Sequence, residues 1–571
     1  MTRPMSRLWI SLLLVLMAPA ACSGPNAPAP QHVTPGGQGR PNAASLFLST
    51  LRGSARSGDA LLRLHIDEQT TTTRARDLAT QLWSDRQVAP VSSPNEADLE
   101  LGAGGAQLIY ERILVPVDRF STVLEGTTLD ELKGVWRGTA ASPNYSTIYP
   151  SQDILPDLEL LLGPAGPAVR PQDSEALASA IGEDPTSIGI LPFEALNVRL
   201  RALPIDGLSS VDNRLDQTQW PLATRVWATP KSNLGSQALE AIAEALPVSN
   251  RDPKKLTVLI MTGVTAMARN TAAAIEVAGD YAFPARIVGP KLASADITIV
   301  SNEIPFVADC VPDNTLNNLT LCSKPEYFSA LQVSGVDAVG LTGNHLNDFG
   351  YENDRASLRF YEGMGIPTYG GGQDDADARS PYIVEHNGNK LAFLGANQYG
   401  PEAYVCGTEE TVSAWAGAEN PGAARFDRSQ MSADIEAVKT QVDLVFAELQ
   451  HTEFNDAGDY QTEPLTAQVA DSEALMDAGA DVVTGVQAHA PQGVELRGNG
   501  IILYGLGNLY FDQTWSWPTR TGLVVRHTIY DGRLINTDLL VTVIELNMQL
   551  RWATPEERIE VLKSVYAASR W

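Results

Sequence analysis

Seven histidines occur in this 571-residue chain, and three of them, His345, His451 and His489, follow short apolar runs in the same manner. Residues 338–341 lead to Gly343-Asn344-His345-Leu346-Asn347-Asp348, and residues 442–449 lead to Gln450-His451-Thr452-Glu453. Residues 481–484 lead to Gly485-Val486-Gln487-Ala488-His489. Two further runs end on amides and a carboxylate: residues 297–300 precede Ser301-Asn302-Glu303, and residues 500–504 precede Gly507-Asn508. Side chains just past the carboxyl ends of strands face the ligand crevice in α/β proteins, so these five loops are expected to share one site. Imidazole changes charge near neutrality, and beside amides and a carboxylate it can move a proton or hold a divalent cation.

The elements that must carry these loops alternate in type. Strand patterns fall at 256–261, 297–301, 338–341, 390–394, 442–449, 481–484 and 500–504. Helical patterns fall at 266–277, 325–333, 353–363, 433–440 and 465–478, and such alternation argues for α/β layering. Residues 523–529 and 533–546 flank Asp531-Gly532, a hairpin signal, and 555–568 reads as a closing helix. Upstream, strands are expected at 61–66, 112–117 and 187–191, with helices at 73–83, 129–136 (Thr128 as N-cap) and 236–246. A chain of this length exceeds one core. The polar stretch Ser249-Asn250-Arg251-Asp252 sets the expected boundary, giving domains over 45–250 and 255–546 and a C-terminal helix within 547–571.

Charge and leader narrow the setting. With 41 Lys and Arg against 68 Asp and Glu the net charge is −27, which repels phosphate backbones and argues against nucleic acid as a partner. Arg3 and Arg7 precede an apolar run from Leu8 to Met17 and small residues before Cys22, the layout of a signal peptide over 1–22. Ala20-Ala21-Cys22 resembles a bacterial lipobox, which implies lipidation of Cys22 and a membrane anchor; Pro19 stands where that motif prefers Leu. Residues 23–44, rich in Pro, Gly, Ala, Asn and Gln, form a flexible tether. Outside the cytoplasm Cys310 and Cys322, which flank a polar loop, are a natural disulfide; Cys406 is the odd thiol or a replacement for either partner.

Ordered motifs across the second region resemble the CapA, or poly-γ-glutamate capsule-synthesis, family, which is related to calcineurin-like metallophosphatases. The matching residues are Asn344-His345 with Asp348-Phe349-Gly350, Tyr369-Gly370-Gly371-Gly372, His451 with Glu453, and Asp477-Ala478-Gly479-Ala480-Asp481-Val482-Val483. Gly485, His489 and Gln492 match another motif, and Leu506-Gly507-Asn508-Leu509 with Phe511-Asp512-Gln513 a last one. The resemblance implies a metallophosphatase-like layered α/β fold, with Asn344, His451 and His489 as metal ligands and His345 as the acid. It places Glu303 beside them as a substrate-side carboxylate, together with Asn508, while Arg269 is either an anion contact or a solvated helix residue.

Two departures reduce the implied metal site. Val264 stands where the family has a ligand Asp, and Gln487 where it has a His. The expectation is therefore one divalent metal (Mn, Fe or Zn) or none. Residues 45–250 weakly resemble the type II periplasmic solute-binding fold through Thr128-Leu129-Asp130-Glu131-Leu132, Ser187-Ile188-Gly189-Ile190-Leu191-Pro192 and Leu203-Pro204-Ile205-Asp206-Gly207. The resemblances imply an exported, surface-anchored protein of capsule or related polymer synthesis, working beside polymer-synthesis membrane proteins. It either hydrolyses or transfers at a phosphoester or an amide-linked anionic polymer, or binds and scaffolds that polymer without catalysis.

Overall fold

The structure, a computed structural model, describes residues 61–66, 88–245, 247–314, 319–400, 402–404, 411–453 and 462–571. The signal peptide, Cys22, the tether, the helix at 73–83 and Cys406 lie outside the described residues.

The strand Leu256–Thr265 (LTVLIMTGVT) is buried along its whole length, as a strand covered on both faces must be. It pairs in parallel with Ile297–Asn302 and antiparallel with Thr521–Tyr530. These three sit inside a seven-stranded sheet that also holds Ala338–Gly340 and the hairpin strand Arg533–Ile544. A second, six-stranded sheet has Asn389–Asn397, Leu444–Gln450, Val482–Val486 and Gly500–Leu503 in its middle, paired in parallel. The two sheets pack face to face: Leu259, Met261 and Ile299 of the first share one core with Phe393, Phe446 and Leu503 of the second. Ala272, Ile275, Phe328 and Leu331 cover the outer face of the first sheet, and Met431, Ile435 and Leu475 that of the second. The result is a helix–sheet–sheet–helix sandwich, the layered α/β fold that the resemblance implied. The helix Pro555–Ala567 opens on a capping box between Thr554 and Glu557 and adds Val561, Leu562 and Val565 to the central core.

One element runs past its expected end. The strand expected over 256–261 continues to Thr265, and the helix after it begins only at Arg269. Gly263 permits this, because a Cβ there would lie 1.9 Å from the Gly507 carbonyl oxygen. The close approach keeps the backbone extended and brings Val264 beside Asn508.

Upstream, the strand Gln107–Arg119 pairs with Ala223–Pro230 through its first half and with Ser187–Pro192 through its second, within an eight-stranded mixed sheet. The helix Leu129–Arg137 is capped by the Thr128 side chain, which accepts from the Glu131 N–H. The stretch Ser249–Asp252, expected as a polar junction, is a packed seam. Arg251 is fully buried, and its guanidinium donates to the Ser210 and Asp212 carbonyls and to Gln217 Oε1. Leu256, Val258, Tyr530 and Ile535 pack in the same core as Ile113, Phe193 and Trp220, so the two regions share apolar interior. Across the seam, Arg201 pairs with Asp538 at 2.9 Å and Asn536 Oδ1 accepts from the Ala202 N–H at 2.9 Å.

Cys310 and Cys322 form a disulfide that closes the loop between them. Among the described residues no helix is long and apolar enough to cross a membrane.

Candidate acid–base site

The strand-end loops meet at one edge of the sandwich. Gln450, the last residue of its strand, ties them together: its Nε2 donates to Asn344 Oδ1 at 2.9 Å, to Glu303 Oε1 at 3.3 Å and to Gln487 Oε1. Its own Oε1 accepts from Asn397 Nδ2 at 2.8 Å. Gly343 lets the two loops touch, since a Cβ there would come within 2.3 Å of the Glu303 carbonyl oxygen.

His345 faces Asp348, with Nδ1 2.7 Å from Oδ2. Burial opposes its protonation, but the charge and hydrogen bond of Asp348, with Glu303 adding to them, outweigh burial and lift His345 to about 9. The pair thus holds its proton on the imidazole. His489 is set the other way. Burial, aided by the positive charges of His345 and Arg269, holds it below its ordinary value despite Glu303 and Asn508. Its Nδ1 lies 2.9 Å from Asn508 Oδ1, while Asn508 Nδ2 donates to the His489 carbonyl and to the Thr519 carbonyl. An amide oxygen accepts, so the proton of a neutral His489 sits on Nδ1 and Nε2 is the basic nitrogen. That Nε2 lies 4.0 Å from Glu453 Oε1.

Two carboxylates complete the floor. Glu453 Oε2 accepts from the His489 N–H at 2.6 Å, and burial with the nearby charge of Glu303 lifts Glu453 to about 9. Glu303 Oε2 and Glu453 Oε1 are buried without a hydrogen-bond partner among the described residues. Gln487 and Arg269, both at this edge, adopt positive φ of 78° and 45°, backbone strain of the sort that collects at functional sites.

The expected residues divide. Asn344, His345, His489, Glu303 and Asn508 converge. His451 does not join them: its Nε2 lies 3.1 Å from Asp471 Oδ2 and its Nδ1 3.2 Å from the Thr452 carbonyl. Asp471 is also held by Arg428, so the ring is drawn toward the helix Thr466–Asp477. Arg269 is neither solvated nor open to an anion through its inner edge. Its Nε and Nη2 donate to Asp512 Oδ1 at 3.1 and 2.5 Å, and the guanidinium stacks on Phe511. It braces the turn after the first strand. Sequence reasoning did not single out Gln450, Asp471 or the bracing role of Asp512. Gln450 had the signal of a polar residue closing an apolar strand; Asp471, inside a helix, had none.

These donors do not fit a two-metal centre. Val264 packs with Ile304, Leu321, Val486 and Phe511, so an apolar cluster occupies the neighbourhood of the missing Asp. Gln487 offers an amide, its Oε1 already accepts from Gln450, and His451 is committed to Asp471. Among the described residues no group of three or more His, Cys, Asp or Glu side chains is placed to hold a metal ion.

Residues 258–513 match the family model described as bacterial capsule synthesis protein PGA_cap. Capsule biosynthesis protein CapA of Bacillus anthracis is 29% identical over 320 residues, which is 55% of this chain and 72% of that protein. Two solved structures give lower similarity. One, from Staphylococcus aureus and described as a 5′-nucleotidase in complex with alpha-ketoglutarate, is 12% identical with a TM-score of 0.30, covering 54% of this chain and 58% of that one. An ABC-type phosphate transport receptor from Vibrio cholerae is 11% identical with a TM-score of 0.25, covering 32% of this chain and 93% of that one. Over residues 258–513, the stretch that carries the strand-end histidines, amides and carboxylates, this chain is similar to the bacterial capsule synthesis protein family.

Proposed function

We propose that the chain serves the synthesis of a cell-surface polymer of the poly-γ-glutamate kind, and that the pocket around His345 and His489 cleaves an amide bond of that polymer. The observation that carries this reading is the pairing of the two histidines with opposite partners at one edge of the sandwich. His345 is backed by a carboxylate and His489 by an amide oxygen. Environments that push two titratable groups apart assign the acid and the base. In the proposed step, His489 Nε2 takes a proton from water as its oxygen bonds to the carbonyl carbon. The C–N bond then breaks, and His345 gives its proton to the leaving amine. An amide suits the site better than a phosphoester, because the buried Glu303 carboxylate would repel a phosphate dianion.

In this reading the protein is exported and held at the surface by lipid on Cys22, next to the membrane proteins that make the polymer. The apolar filling around Val264 favours a second reading, in which the pocket holds the polymer without cutting it. One assay separates them. Chelator-treated full-length protein is incubated with γ-linked polyglutamate, and newly formed amino groups are counted. Their steady release by wild type, and its loss in His489→Gln, supports cleavage; retention of polymer with no new amino groups supports holding.

A further inference from the structure

Resting on that reading, we propose that the pocket seats a primary ammonium group between Glu303 and Glu453, and so selects the free amino end of an amide-linked polyanion. Each side chain uses one oxygen internally and presents the other; Glu453, held as the neutral acid by burial and the charge of Glu303, releases its proton to solvent when a cation settles beside the two. Glu303 Oε1 accepts from Gln450 and Glu453 Oε2 from the His489 N–H. Glu303 Oε2 and Glu453 Oε1, on side chains 2% and 1% exposed, have no partner among the described residues. Buried carboxylate oxygens call for a donor, and two from separate loops call for one that can bridge them.

The chemistry of that donor follows from what surrounds it. A divalent cation needs further anionic or imidazole ligands, and no third such group is placed among the described residues. A primary ammonium carries three N–H donors and no lone pair, so it can serve both carboxylates and a neighbouring amide oxygen at once. Asn344 Oδ1 belongs to the same Gln450-linked cluster and is such an oxygen. The polymer supplies the matching asymmetry. Interior units of polyglutamate carry free carboxylates, which the buried Glu303 carboxylate repels; the amino end is its one cationic point. The inference therefore gives the site a direction along the polymer, starting from the amino end.

The test is calorimetric titration of the chelator-treated full-length protein with γ-glutamyl-glutamate and with its N-acetylated form. The free amine should bind at least about tenfold tighter, the value of one charge-assisted hydrogen bond. Glu303→Gln, which keeps the shape of the side chain, should erase that preference with an unchanged melting curve; Glu453→Gln serves if the first variant does not fold. Equal affinity for the two dipeptides, binding of neither, or binding that requires added Mn²⁺ overturns the proposal. Digestion of amino-capped and uncapped polymer keeps it apart from the cleavage reading. Equal cleavage of both removes the ammonium seat and leaves hydrolysis standing, whereas amine-selective binding without cleavage removes hydrolysis and leaves the seat.

Discussion

Asp512→Asn should destabilise the second domain sharply, because Asp512 is a fully buried counter-charge of the buried Arg269. The carboxylate is fully buried and accepts from Arg269 Nε at 3.1 Å, from Nη2 at 2.5 Å and from the Asn270 N–H at 3.1 Å. The amide keeps the shape but removes that charge from beside a guanidinium only 3% exposed. Breaking one side of a buried pair costs about 3–5 kcal/mol, of which most is the desolvated charge left behind. With a urea slope of about 3 kcal/mol/M, the midpoint should fall by about 1–1.7 M. Removing both charges, as Arg269→Met with Asp512→Leu, should cost less than the single change, since no uncompensated ion remains. Urea unfolding followed by circular dichroism reads both. A single variant within about 0.5 kcal/mol of wild type, or a double variant worse than the single ones combined, would refute the brace.

Replacing Cys310 and Cys322 together by Ser should lower stability by about 3 kcal/mol, the loop-closure value for a span of this length; the same loss should follow reduction of wild type. An unchanged melting temperature after reduction would contradict it. Asp354 supplies a pH test away from the site. Burial lifts its carboxyl from 3.8 to about 8, and its Oδ2 has no partner among the described residues. The unfolded chain releases this proton near the ordinary carboxyl value while the folded chain keeps it. The contribution is therefore full below pH 3.8 and is lost as pH rises toward 8. Between pH 5 and 7 wild type should lose about 3 kcal/mol relative to Asp354→Asn, and parallel pH curves for the two proteins would reject the assignment.

Much of this was legible because strands buried on both faces write themselves as apolar runs, and the residue that ends such a run stands at the sheet edge. Glu303, Asn344, His345, His489 and Asn508 all occupy that position, and all five converge. His451 occupies it too, yet turns away, because its partner Asp471 comes from a helix that no spacing links to it. Arg269 looked like an even choice between anion contact and solvated helix residue. What decided it was a carboxylate 243 positions downstream, a pairing that only the folded chain brings about. The junction at Ser249–Asp252 reads as a polar linker by composition, but Arg251 satisfies its donors on carbonyls from residues 210 and 212 and becomes interior. Composition reports polarity; it does not report whether partners are waiting.

The account stands on His345 giving up its proton in the same pocket where His489 receives one. Rates of amide cleavage in γ-linked polyglutamate, measured with metal-stripped wild type and His345→Gln at matched folded fractions, address this most directly. A fall in kcat of about a hundredfold or more, the usual contribution of a positioned general acid, is the predicted result. Turnover that survives the substitution, or that appears only when Mn²⁺, Fe²⁺ or Zn²⁺ is restored, contradicts it.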